Sequence, residues 1–287
     1  MDQITRRGFL GAGGALAVTP GLLAAAQSRG MKFGLVTYQW ARDMDLGTLI
    51  AACEKTGLLG VELRTGQAHG VEPALSGARR SEVRKRFADS PVELVGYGSN
   101  CEFHDADPAL VRKNIELAKQ YVLLMQDCGG QGVKVKPNGF PPGVPHEKTI
   151  EQIGRALNEV SAFGADHGQK IRLEVHGRET CELPVIRAIC QVASHRNLYV
   201  CWNCNDEDLH GAGLEANFAM VQSRIGDTTH VRELDVPDYP YQELFRLFAG
   251  IGYSGWFLLE AQKAVPDRIQ AMAAQRRLFQ GLVPVTR

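Results

Sequence analysis

From Met31 to Val283 the chain repeats one pattern, a short strand-like run followed by a longer stretch with apolar residues at helical spacing. MKFGLVTYQW (31–40) precedes DLGTLIAACEKTG (45–57), and GVELR (60–64) precedes a charged helix expected over 73–89. VELVGYGSN (92–100) leads to a helix over 108–129, and GVKVKPNG (132–139) to one over 147–168 that Gly168 is placed to stop. KIRLEVHG, NLYVCWNCND, THVRELDV and GWFLLEAQ each open a further unit, closed by LPVIRAICQVAS, GLEANFAMVQSRIG, YPYQELFRLFAGIG and DRIQAMAAQRRLFQGLV. Eight such units with no change of composition point to the α/β class and a single closed (β/α)8 TIM barrel. The 287 residues suffice for one, since such barrels take about 250. A doubly wound open sheet is the alternative, and the lack of a GxGxxG after the first strand weighs against it.

Ahead of the first strand, Thr5-Arg6-Arg7-Gly8-Phe9-Leu10 is followed by a weakly apolar Gly/Ala stretch and by Ala24-Ala25-Ala26. That order resembles a twin-arginine export signal over residues 1–26, leaving 27–287 as the barrel. A short anchoring or disordered arm is the plainer reading. Export of this kind carries proteins already folded, so the expected location is periplasmic or otherwise extracytoplasmic, with any metal loaded beforehand. The formal charge is +0, and Lys and Arg are scattered among Asp and Glu. No nucleic-acid partner is therefore expected. Beyond the N-terminus no apolar run of about 20 residues exists, so no membrane span is expected after cleavage. A homo-oligomer is compatible with the sequence, which fixes no assembly.

Alternation along the strands assigns faces. If Ile171, Leu173 and Val175 pack against helices, then Arg172, Glu174 and His176 face the barrel axis. The same rule sends Lys134, Lys136 and Asn138 inward, with Glu62, Arg64, His230, Arg232, Glu260 and Gln262. Charges gathered on an axis need a metal, a polar substrate or one another, because an unpaired buried carboxylate costs several kcal/mol. Internal ion pairs, Glu174 with Lys136 and Glu260 with Arg232, are the structural explanation. Active sites of this fold lie at the C-terminal strand ends, where His176 can serve as a substrate contact or base and Lys136 can stabilise an oxyanion. Glu62 and Arg232 join Lys136 as substrate-binding candidates, the Arg suiting a carboxylate, phosphate or uronate-like group. His104 and Trp40, each just past a strand, are candidates for rim contacts.

Cys201-x-x-Cys204 has the spacing of a metal or redox pair. Positions three apart on a strand face opposite sides, so the two thiols cannot share an ion there. Cys201, Asn203 and Asn205 take the inner face, and Asn203 becomes the residue of interest. The seven cysteines show no framework spacing that names a disulfide.

Glu174 in LEVHG, Asn203 in VCWNCND, His230 in THVREL and Glu260 in WFLLEAQ resemble the four metal positions of the sugar isomerase/epimerase-like barrels, the xylose isomerase-like superfamily. YPYQELFRLFAGIGYSGWFLLE, 239–260, is similar to that family's closing unit. The resemblance implies a divalent ion (Mn²⁺, Mg²⁺, Co²⁺ or Zn²⁺) held by Glu174, Asn203, His230 and Glu260. It also implies that Glu174 and Glu260 shuttle protons beside a sugar carbonyl through an enediolate. Asn203 departs from the usual Asp, removing one negative ligand and predicting weaker ion binding.

The expected function is a metal-assisted sugar or keto-sugar isomerase or epimerase acting on a small carbohydrate. A 3-keto-glycoside lyase or hydratase uses the same chemistry with a leaving group at the β carbon, and a non-catalytic sugar-binding barrel is the rival outside enzymes. A DNA-cleaving branch with three zinc ions needs more ligands than the eight histidines and their placement provide.

Overall fold

The structure, a computed structural model, describes residues 30–284. The expected export signal lies outside the described residues. Eight parallel strands close in sequence order into a barrel: β1 (Lys32–Val36), β2 (Gly60–Arg64), β3 (Glu93–Glu102), β4 (Gly132–Lys136), β5 (Lys170–Glu174), β6 (Leu198–Asn203), β7 (Ile225–Val231) and β8 (Trp256–Leu259). β1 pairs with β8 from Lys32↔Trp256 to Leu35↔Leu259, which excludes an open sheet.

The helices are α1 (Leu46–Thr56), α2 (Gly77–Ala88), α3 (Pro108–Cys128), α4 (His146–Asp166), α5 (Leu183–Val192), α6 (Leu214–Val221), α7 (Tyr241–Gly250) and α8 (Arg268–Leu282). Their ends follow local chemistry. Asp107 accepts from the Ala109 amide to start α3, with Pro108 in the first turn, and Gly129 ends it at φ 82°.

Alternation divides the apolar residues between two places. Leu35, Leu63, Val133, Ile171, Leu173, Val200 and Leu259 pack outward with the helices in the main core. Val36, Val95, Trp256 and Leu258 form a separate plug inside the barrel. Burying a large side chain of this kind contributes about 1.5–3 kcal/mol, so the plug holds the strands together from within.

Two of the boundaries that differ from expectation bear on side-chain placement. β7 begins at Ile225, four residues before the expected start at Thr229. Its polar opening is tolerated because Asp227 is paired with Arg172 and Lys170, and a register shift between Val200 and Trp202 absorbs the extra length. The first strand stops at Val36, and the following turn folds Trp40 into the core, 3% exposed, with its indole N–H donating to the Lys263 carbonyl. Trp40 is thus a packing residue and not a rim contact.

Candidate active site

At the C-terminal ends of β5, β7 and β8, side chains converge on His230. Its Nδ1 lies 3.0 Å from Glu174 Oε1 and 3.7 Å from Glu260 Oε2, while its Nε2 lies 3.0 Å from Glu62 Oε1. Asn203, from β6, places its amide Nδ2 3.4 Å from Glu174 Oε1. Protein cations approach the same acids. Lys134 Nζ donates to Glu174 Oε2 at 2.5 Å, and Arg64 Nη1 donates to Glu260 Oε1 at 2.8 Å. Arg64 also lies over the Tyr38 ring, 4.5 Å from its centroid.

This environment moves the two glutamates apart. Burial pushes Glu260 above its ordinary value; Glu174 adds to that, and His230 and Arg64 pull against it. Burial acts in the same sense on Glu174, but Lys134, His230 and His176 outweigh it and hold the carboxyl well below its ordinary value. Burial disfavours the His230 imidazolium, yet Cys201, Glu62 and Glu174 overcome this and raise it well above the usual range. Burial also lowers His176, against the pull of Glu174, and its Nδ1 is 2.8 Å from Asn138 Oδ1.

Not every sequence candidate stands where alternation put it. Glu62 is fully buried against His230, a partner of the histidine and not a group open to substrate. Arg232 follows the end of β7 and turns to the rim, 3.3 Å from Asp206 and over the Tyr239 ring. It therefore does not pair with Glu260. Lys136 does not pair with Glu174 either; it sits 3.9 Å from Glu102, 7% exposed. Gln262 lies beyond β8 in an exposed loop, with its amide N–H donating to Glu233. Asn205 caps a short 3-10 helix at Asp206–Leu209. His104 lines a cleft of about 610 Å³ with Asn138, the partner of His176, and with Phe140, His146 and Arg178. Cys201 packs inside near His230, whereas Cys204 contacts the His230 carbonyl, and both are free thiols. Lys134 and Arg64 were legible as inward residues but not as partners of Glu174 and Glu260.

Ligand atoms of Glu174, His230 and Glu260 all lie within 4.8 Å of one another, a spacing suited to a metal ion. The donor set fits a divalent ion: two carboxylates and an imidazole whose far nitrogen is already engaged by Glu62, which leaves Nδ1 for the ion. Half a turn of the Asn203 amide brings an oxygen to the same place.

Fold and site together define a (β/α)8 barrel with a carboxylate–histidine cluster at its C-terminal mouth. The chain belongs to the xylose isomerase-like TIM barrel family, whose model matches residues 50–280. No curated protein matches it by sequence. Among solved structures it resembles 3-keto-D-glucoside 4-epimerase from E. coli, at 12% identity and TM-score 0.74 over 88% of this chain and 99% of that one. L-ribulose 3-epimerase matches at 16% identity and TM-score 0.75, covering 88% of this chain and 94% of the other. The IOLI protein with a bound zinc atom matches at 15% and 0.75, covering 88% and 98%. At these identities the likeness speaks for the fold.

Proposed function

We propose that the protein is a metal-assisted keto-sugar epimerase or isomerase, moving a proton at the carbon beside a carbonyl. The observation that carries this is the convergence of Glu174 and Glu260 on His230 Nδ1, with their carboxyls displaced in opposite directions. Two acids tuned apart are the usual basis for a base and its conjugate partner. The family and the sugar epimerases among the structural neighbours support a carbohydrate substrate.

A divalent ion on Glu174, His230, Glu260 and the Asn203 amide oxygen would polarise the carbonyl and its neighbouring hydroxyl. Glu174, kept ionised, takes the carbon-bound proton. Glu260, the more readily protonated of the two, returns a proton from its own side of the site. Lys136, beside Glu174 on the neighbouring strand, donates to the oxygen on which negative charge develops. His176, lowered by burial and held through Nδ1 by Asn138, favours a second reading, elimination of a β substituent. There the neutral imidazole takes the carbon-bound proton and Glu260 protonates the departing oxygen.

The test is incubation with Mn²⁺ in D₂O against ketohexoses and 3-keto-glycosides, followed by mass spectrometry. One deuterium should enter the recovered sugar, and Glu174→Gln or Glu260→Gln should slow entry by about 100-fold or more. Release of the aglycone would shift the reading to elimination. A sugar that binds and never exchanges would leave a non-catalytic binding barrel.

A further inference from the structure

Glu174 is held from two sides. Its Oε1 faces His230 Nδ1 at 3.0 Å, and its Oε2 accepts from Lys134 Nζ at 2.5 Å. The Lys134 and Glu174 side chains are each 1% exposed. Lys134 pairs in register with Arg172, one inward position below Glu174, so its ammonium reaches up from beneath the cluster. The other acids are matched as well: Glu260 accepts from Arg64, and Glu62 faces His230 Nε2. Asn203 brings an amide without charge. Every carboxylate of the cluster thus already faces a protein cation or an imidazole nitrogen.

A divalent ion using Glu174 must set its charge against an ammonium bonded to the same carboxylate. Water does not reach the pair, so screening is weak and the repulsion is worth about tenfold or more in affinity. We propose that Lys134 is a built-in counter-ion that competes with the divalent ion for Glu174 and sets how tightly this chain holds it. The ion is then an exchangeable partner and not a permanent resident. Lys134 acts through Glu174, as a positioning residue that keeps the carboxylate oriented when no ion is bound. The inference rests on the reading of Glu174, His230 and Glu260 as an ion site.

The experiment is calorimetric titration of the full chain with Mn²⁺, without substrate, for wild type, Lys134→Met, Lys134→Arg and the double variant Lys134→Met/Glu260→Gln. Lys134→Met should bind Mn²⁺ at least about tenfold more tightly than wild type. Lys134→Arg, which keeps the charge, should bind as wild type does, and the double variant should lose the gain. Equal or weaker binding by Lys134→Met, with the double variant binding more weakly again, overturns the competition and leaves the ion site standing. Binding by none of the proteins overturns the ion site itself. Since Lys134→Met leaves Glu174 buried without its cation, melting is followed with and without Mn²⁺. The ion should restore the lost Tm in this variant and move wild type less; a variant that stays unfolded in Mn²⁺ overturns the proposal.

Discussion

A histidine with both ring nitrogens engaged has little freedom of tautomer. Glu62 Oε1 lies 3.0 Å from His230 Nε2, so when an ion takes the Nδ1 side, which faces Glu174 and Glu260, the imidazole keeps its remaining proton on Nε2. A carboxylate behind a ligating imidazole orients the ring and makes it a better donor, and its loss typically costs 10–100-fold in metal affinity. Glu62→Gln keeps an oxygen that accepts from Nε2–H and removes the charge. Mn²⁺ affinity should therefore fall by about 10–100-fold while the urea midpoint changes little. Calorimetry beside chemical denaturation checks this; undiminished affinity would remove Glu62 from any role at the ion. Glu62 Oε2 is buried without a partner, a further reason for the fold to tolerate a neutral side chain there.

At the level of strands, close approach governs the closed end. A Cβ added to Gly34 in β1 would come within 2.3 Å of the Gly60 carbonyl oxygen in β2 and 2.8 Å of Leu258 Cδ2 in the plug. The backbone cannot yield without separating two paired strands, so Gly34→Ala should lower unfolding stability by about 1–3 kcal/mol, read as a lower urea midpoint. An unchanged midpoint would mean that β1 and β2 separate at no cost. The same strands show what a sequence can and cannot carry. Period two placed Lys134, Glu174, Asn203, His230 and Glu260 on the inner face, as the structure has Lys134, Glu174 and His230 buried there. It could not give depth, because depth follows from register between strands distant in sequence. The shift between Val61 and Glu62 seats Glu62 opposite Gly96, within reach of His230. Lys134, not Lys136, reaches Glu174, and Arg64, not Arg232, reaches Glu260. Arg232 was misplaced because β7 ends at Val231 and the chain then turns its side chain toward Asp206, whereas Glu260, one residue past β8, keeps the inward direction.

Across the whole molecule the two ends of the barrel divide the work: chemistry gathers where the strands finish, and ion pairing where they begin. In the first half of β7, Asp227 receives bonds from Arg172 Nε at 3.0 Å and from Lys170 Nζ at 2.7 Å, while Arg172, fully buried, also donates to the Val95 carbonyl in the plug. The pair ties β3, β5 and β7 together. Burial works against the Asp227 carboxylate, but Arg172 and Lys170 prevail and bring it from an ordinary 3.8 down to about 2. That difference is worth about 2 kcal/mol. Because the folded value lies below the unfolded one, this stabilisation is complete above pH of about 4 and is lost as pH falls through about 2. Asp227→Asn should remove this slope between pH 4 and pH 2. At neutral pH it should cost more, about 3–5 kcal/mol, since Arg172 is left buried without its counter-charge. Urea unfolding at several pH values reads both effects, and equal acid sensitivity in the two proteins would defeat the argument. Deuterium uptake by the folded variant at pH 7 should match wild type, because Asp227 stands three residues before His230 and its bonds run to Arg172 and Lys170, not to Glu174, Glu260 or His230.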